Sequence, residues 1–205
     1  WNKIKIKKDG YIGYIKNKKF SKPIKPNFKV SVLKARLFCG PSLKKKLNKF
    51  LPYESRIKII KKNGKFGKFE KYWIQISALK KINFKHKNFF KDIKLFKNTR
   101  YLWGGKSYKG IDCSALVQLL INQNNKFCPR DSKDQEKYFR KKTSLKNIRK
   151  NDLIFWKGHV AIALSKSKLI HAYGPMKKVV IMNTKKTIDR IYRTANLKVT
   201  SIKRI

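Results

Sequence analysis

The sequence predicts an α+β domain preceded by small all-β barrels. Residues 1–85 contain short strand patterns separated by turn signals, which is typical of small barrels. After about Phe84, a dense apolar helix pattern is followed by several strand patterns, which favours an α+β arrangement. Hydrophobic residues make up 41% and aromatic residues 13% of the 205 residues, so the chain can bury a core and is not a disordered basic tail.

The N-terminal strand patterns fall into two groups. Residues 1–6 alternate with a period of two, Asp9 and Gly10 form a hairpin signal, and residues 11–15 supply the partner strand. After a linker punctuated by prolines, a second set of short strands runs over residues 28–79. We therefore expect two separate β units in this half of the chain.

The second half changes from strands to a mixture of helices and strands. The apolar spacing predicts a short amphipathic helix over residues 87–97 and a buried helix over residues 115–121. Residues 130–141 are polar and are expected to be helical in part. Strands are predicted at residues 153–156, 160–164, 169–172 and 179–182.

The charge is strongly positive, with 55 Lys and Arg against 10 Asp and Glu, a formal net charge of +45. Such a charge suits a polyanionic partner such as nucleic acid, an anionic membrane or a cell-wall polymer. The lysines are spread along the chain, and Lys, Ile, Asn and Phe are abundant together, as in AT-rich coding sequences. We therefore favour a solvated surface over a dedicated nucleic-acid surface, since no nucleic-acid-binding motif accompanies the charge.

Several other classes of protein are excluded. No apolar run approaches the roughly 20 residues of a membrane-spanning helix, so we expect no integral membrane segment. The cysteines Cys39, Cys113 and Cys128 are too scattered for a disulfide scaffold and lack the paired spacing of a structural zinc site. The chain begins with Trp1 rather than Met, which leaves open a trimmed start that has lost a signal peptide.

Cys113 is the candidate nucleophile. Asp112 is a good N-cap residue, which places Cys113 in the first turn of the predicted buried helix. The free N–H groups and the dipole of a helix start favour a thiolate, so we expect a lowered pKa for this thiol. A thiolate attacks carbonyl carbons. The alternative is a buried, inert cysteine, which is the commoner fate of this residue.

The positions of two histidines favour the hypothesis that Cys113 is a catalytic nucleophile. A hairpin centred near Ser165 would set His159 and His171 across from each other or one residue off. Ala161 lies on the strand face of His159, and its small side chain would leave room there for a helix end carrying Cys113. One histidine then deprotonates the thiol and the other orients the first. Two unpartnered histidines are the alternative.

Six short runs, read together and in this order, resemble the NlpC family of bacterial cell-wall cysteine peptidases. They are Tyr-Leu-Trp-Gly-Gly at 101–105, Gly-Ile-Asp-Cys-Ser at 110–114, Cys-Pro-Arg-Asp-Ser at 128–132, Asp-Leu-Ile-Phe-Trp at 152–156, Gly-His-Val at 158–160 and Leu-Ile-His-Ala at 169–172. The resemblance covers residues 88–205. The preceding strands resemble the bacterial SH3 barrels of the dipeptidyl-peptidase branch, with residues 1–20 as the C-terminal part of one barrel and residues 26–84 as a second.

The resemblance implies a papain-like fold and a set of site residues. Cys113 is then the nucleophile, His159 the general base, His171 the orienting residue, and Tyr101 an oxyanion ligand together with the Cys113 backbone N–H. Two further pairs match substrate-contacting positions. These are Asp112 with Ser114, of which Asp112 is placed to meet a free amine, and Asp131 with Ser132. Helix capping alone would also explain the aspartates. His86 is expected to be structural.

The implied activity is hydrolysis of peptidoglycan stem peptides without a metal or organic cofactor. The bond is the one between γ-D-glutamate and a diamino acid such as meso-diaminopimelate, in muropeptides with a free N-terminal L-alanine. We expect a monomer whose partner is a peptidoglycan-derived peptide, and we favour the bacterial cytoplasm over the periplasm or exterior. The alternatives are a catalytically silent wall-binding module or, less favoured, a basic nucleic-acid-binding protein.

Overall fold

The computed structural model describes residues 1–6, 8–17 and 23–205. At its N-terminus, strands β1 (Asn2–Lys5) and β2 (Ile12–Ile15) pair antiparallel. Gly10 lies in the turn between them with a φ of 74°, a left-handed conformation that glycine adopts without strain. The predicted hairpin is thus confirmed. Residues 18–20, the end of the predicted first barrel fragment, lie outside the described residues.

The second group of strands forms two sheets on one core. The sheet orders are β10-β3-β6 and β5-β4-β9-β8-β7, and both sheets bury apolar side chains, including Val30, Leu37, Ile57 and Ile74, in a common cluster. The strands at 28–30 and 72–75 confirm predicted segments, whereas the strands at 34–38 and 46–52 were not predicted. The strands are β3 (Phe28–Val30), β4 (Lys34–Phe38), β5 (Lys46–Pro52), β6 (Arg56–Ile57), β7 (Lys61–Asn63), β8 (Phe66–Phe69), β9 (Tyr72–Gln75) and β10 (Leu79–Lys81).

The helix predicted over residues 87–97 is wrong. Only a 3-10 turn forms, at Ile93–Phe96. The Asn88 side chain accepts a hydrogen bond from the Phe90 N–H at 2.9 Å, which favours a turn over a helix start. Asn98 then takes a left-handed φ of 65° and ends the segment. Of the apolar residues that suggested a helix, Phe90, Ile93 and Phe96 are buried in the core, whereas Leu95 is exposed.

The remaining residues form a six-stranded antiparallel sheet with helices on both faces. Its order is β13-β18-β14-β15-β16-β17. The predicted helix over 115–121 and the predicted strands are confirmed, while the last helix and strand were not predicted. The elements are β11 (Lys106–Ser107), β12 (Gly110–Ile111), α1 (Cys113–Gln123), α2 (Ser132–Tyr138), β13 (Lys142–Thr143), β14 (Leu153–Trp156), β15 (His159–Ala163), β16 (Lys168–Tyr173), β17 (Lys178–Asn183), α3 (Thr184–Ala195) and β18 (Val199–Lys203).

The two faces of this sheet bury different helices. Val160 and Ile162 on β15 pack with α1, every residue of which is buried. Ala161 and Ala163, on the other face, pack in a second cluster that contains Ile191 of α3. The expectation that the alanine face receives the end of α1 is therefore wrong, because α1 lies on the valine and isoleucine face. Within the described part of the chain, no helix has both the length and the apolar character that a membrane crossing requires.

The C-terminal end of α1 is bonded to side chains from the N-terminal sheets. Lys29 on β3 is 0% exposed, and its Nζ donates to the backbone oxygens of Phe84 and Gln123. Arg56 on β6 donates to the backbone oxygen of Asn122 at 3.2 Å. Burial lowers the pKa of Lys29 to about 8. Lys29 thus supplies a donor to the Gln123 carbonyl, and Arg56 adds a second donor to the Asn122 carbonyl, which also accepts from the Asn125 N–H.

Candidate active site

The N-terminus of α1 carries Cys113 in a buried position. The preceding residue, Asp112, has extended backbone angles, and its side chain accepts a hydrogen bond from the Ala115 N–H at 2.8 Å. This is the geometry of an N-cap, and it confirms the predicted helix start. Cys113 is 6% exposed.

The electrostatics of Cys113 differ from the expectation of a lowered pKa. Burial raises the pKa of the thiol to about 11. The backbone N–H groups of Val160, Ser114 and Cys113 itself act in the opposite direction, because they favour the thiolate. Burial raises the pKa of the thiol by more than the helix start lowers it, so the resting sulfur carries its proton. The Val160 N–H at the sulfur places Cys113 beside the first residues of β15.

His159 and His171 are joined by a ring-to-ring hydrogen bond. His159 Nε2 lies 2.9 Å from His171 Nδ1. The strand register pairs Ile162 with Ile170, so the same register sets His159 two residues from the position opposite His171. The predicted offset of at most one residue is therefore wrong, but both histidines still share one face and meet diagonally.

Burial makes both histidines neutral near pH 7. It lowers the pKa of His159 to about 4. Burial and then the neighbouring His159 lower the pKa of His171 well below its usual range. The ring of Tyr173 stacks on His171 with centroids 4.6 Å apart and planes at 10°, which fixes the plane of the imidazole. Since Nε2 of His159 is bonded to His171, its other ring nitrogen is the one available as a base.

Tyr101 lies close to the sulfur. Its backbone bridges to Ile111, just before the helix start, and its ring packs over the α-carbon of Gly174. Burial raises the pKa of the Tyr101 phenol, and the charges of Cys113 and Asp112 raise it further. The hydroxyl therefore stays protonated and can donate a hydrogen bond beside the thiol.

Asp112 and Ser114 belong to a buried cluster with Arg130. Arg130 donates to both carboxylate oxygens of Asp112, at 3.0 and 2.6 Å, and to the Ser114 hydroxyl at 2.9 Å. The Gly104 N–H also donates to this carboxylate, at 2.9 Å. Asp112 thus caps the helix, holds Arg130 and anchors the loop before β11. Our sequence analysis did not single out Arg130, although it lies within the quoted run at 128–132.

Asp131 and Ser132 lie at the start of α2, as Asp112 and Ser114 do at the start of α1, but the two aspartates are bonded differently. Asp131 is the N-cap residue by backbone angle, but its side chain makes no capping bond. It is exposed and, within the described part of the chain, forms no ion pair. Capping therefore does not account for this aspartate, whose carboxylate stays available to a ligand.

His86 lies apart from these residues. Its Nε2 is 3.0 Å from Asp92 Oδ2, and its backbone N–H donates to Asn124. These contacts tie the segment before the 3-10 turn to the end of α1. Among the residues that the structure describes, His, Cys, Asp and Glu do not converge in groups of three that could hold a metal ion.

Comparison with known proteins gives a consistent result. Residues 98–196 match the NlpC/P60 family. The chain is 39% identical over 74 residues to dipeptidyl-peptidase 6 of Lysinibacillus sphaericus, a match that covers 36% of this chain and 27% of that protein. It is 33% identical over 96 residues to gamma-D-glutamyl-L-lysine dipeptidyl-peptidase of Bacillus subtilis (strain 168), covering 43% of this chain and 32% of that protein. The chain therefore aligns with only a minor part of each of these two curated relatives.

The fold also matches a solved structure. The crystal structure of an NlpC/P60 family protein from Bacillus cereus ATCC 10987 superposes with a TM-score of 0.70 at 21% identity. The superposition covers 87% of this chain and 63% of that one, so the shared fold extends beyond the segment matched by sequence. Residues 98–196, just under half of the chain, are thus similar in sequence to the NlpC/P60 family.

Proposed function

We propose that this protein is a cysteine peptidase that hydrolyses peptidoglycan stem peptides. The observation that carries the proposal is the arrangement of three groups: Cys113 at a helix start, His159 at the adjoining strand start, and His171 bonded to His159 at 2.9 Å. A nucleophile, a base and a residue that orients the base are the three parts of a catalytic triad. The family match of residues 98–196 supports the same reading.

In the proposed mechanism the proton moves as the covalent bond forms. Both Cys113 and His159 are neutral at rest, so His159 takes the thiol proton while the sulfur attacks the carbonyl carbon. Tyr101 and the Cys113 backbone N–H donate to the resulting oxyanion. The oxyanion collapses, the C–N bond breaks, and the amine leaves with the proton from His159. His159 then takes a proton from water, and the resulting hydroxide attacks the thioester carbonyl. The C–S bond breaks, the acid product leaves, and His159 returns the proton to the Cys113 sulfur.

We further propose that the scissile bond joins γ-D-glutamate to a diamino acid such as meso-diaminopimelate. Two relatives are named dipeptidyl-peptidase, and one of those names specifies gamma-D-glutamyl-L-lysine. A dipeptidyl-peptidase must recognise the free amine two residues before the cut. Asp131 suits this role better than Asp112, since the Asp112 carboxylate is bonded to Arg130 whereas that of Asp131 is exposed. The positive charge of the chain would speed encounter with carboxylate-rich peptides.

The test is product analysis on defined muropeptides. L-Ala-γ-D-Glu-meso-diaminopimelate should yield L-Ala-γ-D-Glu and free diaminopimelate, and the N-acetylated peptide should stay intact. Cys113→Ala should abolish turnover while binding is retained. Asp131→Asn should raise KM for the free-amine peptide about tenfold, the effect of losing one charge-assisted hydrogen bond.

Asp134→Asn is the matched control, because Asp134 lies exposed in the first turn of the same helix. Undiminished turnover by Cys113→Ala would refute the mechanism. Equal cleavage of free and acetylated peptides would refute recognition of the amine. No turnover by the intact protein on any peptide would favour the silent wall-binding module.

We also propose that residues 26–84 are a bacterial SH3-like barrel and that residues 1–20 are the end of another. The common core of the sheets built from β3–β10 supports the first assignment. In this arrangement the N-terminal strands pack beside the peptidase domain and are bonded to it by Lys29.

A further inference from the structure

A thioether lies at the end of the hydrogen-bonded histidines. His171 Nδ1 faces His159, and its other nitrogen, Nε2, lies 3.4 Å from Sδ of Met182. On β16 and β17, Leu169 pairs with Met182 and His171 pairs with Val180, so all four side chains share one face of the sheet. His171 is 0% exposed, so its Nε2 is shielded from water.

The proposed mechanism requires one tautomer at each ring. His159 accepts the thiol proton at Nδ1, so its resting proton sits on Nε2 and is donated to His171 Nδ1. His171 must then accept at Nδ1 and carry its own proton on Nε2, directed at Met182. A thioether has no proton to give and can only accept a hydrogen bond, if weakly. Met182 can therefore accept a hydrogen bond from this tautomer of His171. It has no proton to donate to the other tautomer, in which Nε2 is unprotonated.

We propose that Met182 is a positioning residue that fixes the Nε2-protonated tautomer of His171 and thereby keeps His159 in the tautomer that accepts the Cys113 proton. The inference rests on the proposed function for its catalytic consequence, but the tautomer itself is a property of the resting protein. Tyr173 holds the plane of the His171 ring by stacking. Stacking does not distinguish the two nitrogens, so the sulfur supplies a constraint that the aromatic contact lacks.

The position of Met182 makes it open to substitution. It is partly exposed and lines a surface cleft with Lys186, Arg190 and Arg193 of α3. Leu and Gln are close to Met in size, so either side chain can occupy this site beside the cleft without forcing the core apart. Met182→Leu removes the acceptor and keeps the bulk. Met182→Gln restores an acceptor through its amide oxygen.

The experiment combines nitrogen NMR with kinetics on the full chain. The protein has three histidines, so long-range 15N–1H spectra can assign each ring. We expect His171 of the wild type to be protonated at Nε2, and Met182→Leu to show a mixture of tautomers. The same variant should lose about tenfold in kcat with KM unchanged, the effect of one buried hydrogen bond. Met182→Gln should recover both the tautomer and kcat.

Met176→Leu is the control, since Met176 is the other methionine of the chain and is 39% exposed. It should match the wild type in both measurements. A wild-type His171 protonated at Nδ1 would overturn the proposal, as would a Met182→Leu protein that keeps the wild-type tautomer and kcat. Failure of the proposed function is a separate result: it appears as absent turnover in the wild type, and the spectra still decide the role of Met182.

Discussion

The starts of α1 and α2 look alike in sequence and differ in structure. Each helix begins with an aspartate at its N-cap position, Asp112 or Asp131. Asp112 caps its helix and forms a two-oxygen ion pair with Arg130, and it is almost wholly buried. Asp131 is exposed and makes no capping bond.

A carboxylate at a helix start can therefore either be bonded within the protein, where it stabilises the fold, or remain free to bind a ligand. Residue type does not decide between the two, because aspartate is favoured at an N-cap in either case. What decides is whether the carboxylate has an ion-pair partner. Arg130 lies on the chain just before Asp131, yet both of its paired nitrogens reach back to Asp112.

Asp112→Asn should destabilise the protein by about 3 kcal/mol, because it leaves the Arg130 guanidinium buried without its countercharge. Urea unfolding at pH 7 measures the change. The double variant Asp112→Asn with Arg130→Met should recover part of the loss, since it removes both charges. A cost below 1 kcal/mol for Asp112→Asn would show that the ion pair is solvated and that the two helix starts are alike.

Stability should fall on both sides of neutral pH because of groups at the start of α1 and β15. The folded-state pKa of His159, about 4, lies below its ordinary value of 6.5, so its contribution is complete above pH 6.5 and is lost as the pH falls towards 4. The folded-state pKa of Cys113, about 11, lies above its ordinary value of 9.0, so its contribution is lost as the pH rises from 9 to 11.

Urea unfolding across pH checks both limbs. His159→Gln should flatten the acid limb, and Cys113→Ala should flatten the alkaline limb. Asp131→Asn should leave both limbs as they are, since Asp131 takes no part in this buried group. Limbs that persist unchanged in both site variants would assign the pH dependence to other residues.

Loss of the cap should cost more at α3 than at α2. The Asn183 side chain accepts a hydrogen bond from the Lys186 N–H at 3.0 Å, so Asn183→Ala should destabilise by about 1 kcal/mol. Asp131→Ala removes no capping bond and should change stability by less than about 0.5 kcal/mol. Thermal unfolding of the two variants compares them directly, and equal losses would contradict the assignment of Asp131 as uncommitted.

The sequence predicted best where local pattern and burial agree. The helix over residues 115–121 is apolar except for Gln118, the strand over residues 153–156 is apolar throughout, and both are buried elements. Residues 87–97 have apolar residues at helix-like spacing, but the Asn88 side chain accepts a local hydrogen bond and Asn98 takes a left-handed φ, and no α-helix forms. The start of α3 is rich in Lys and Thr, and Ile191 packs against a sheet face that only the tertiary structure defines, so it was missed.

At the candidate site, residue identity was more predictable than electrostatics and register. The proximity of His159 and His171 follows from their positions in one hairpin, while the true offset depends on where the turn falls. The expected low pKa of Cys113 considered the helix start alone, and burial by neighbouring elements reversed it. The pairing of Asp112 with Arg130 joins residues 18 apart in the chain, a contact that spacing does not reveal.

The donors at the far end of α1 come from outside the segment that the family match covers. Lys29 and Arg56 donate hydrogen bonds to the last two backbone oxygens of the helix whose first residue is Cys113. A recombinant fragment cut to residues 88–205 would keep the three residues of the proposed triad but lose both side-chain donors, leaving water to bind those oxygens. A fragment that keeps both donors must therefore begin upstream of β3, since β3 and β6 help to hold the helix that carries the proposed nucleophile.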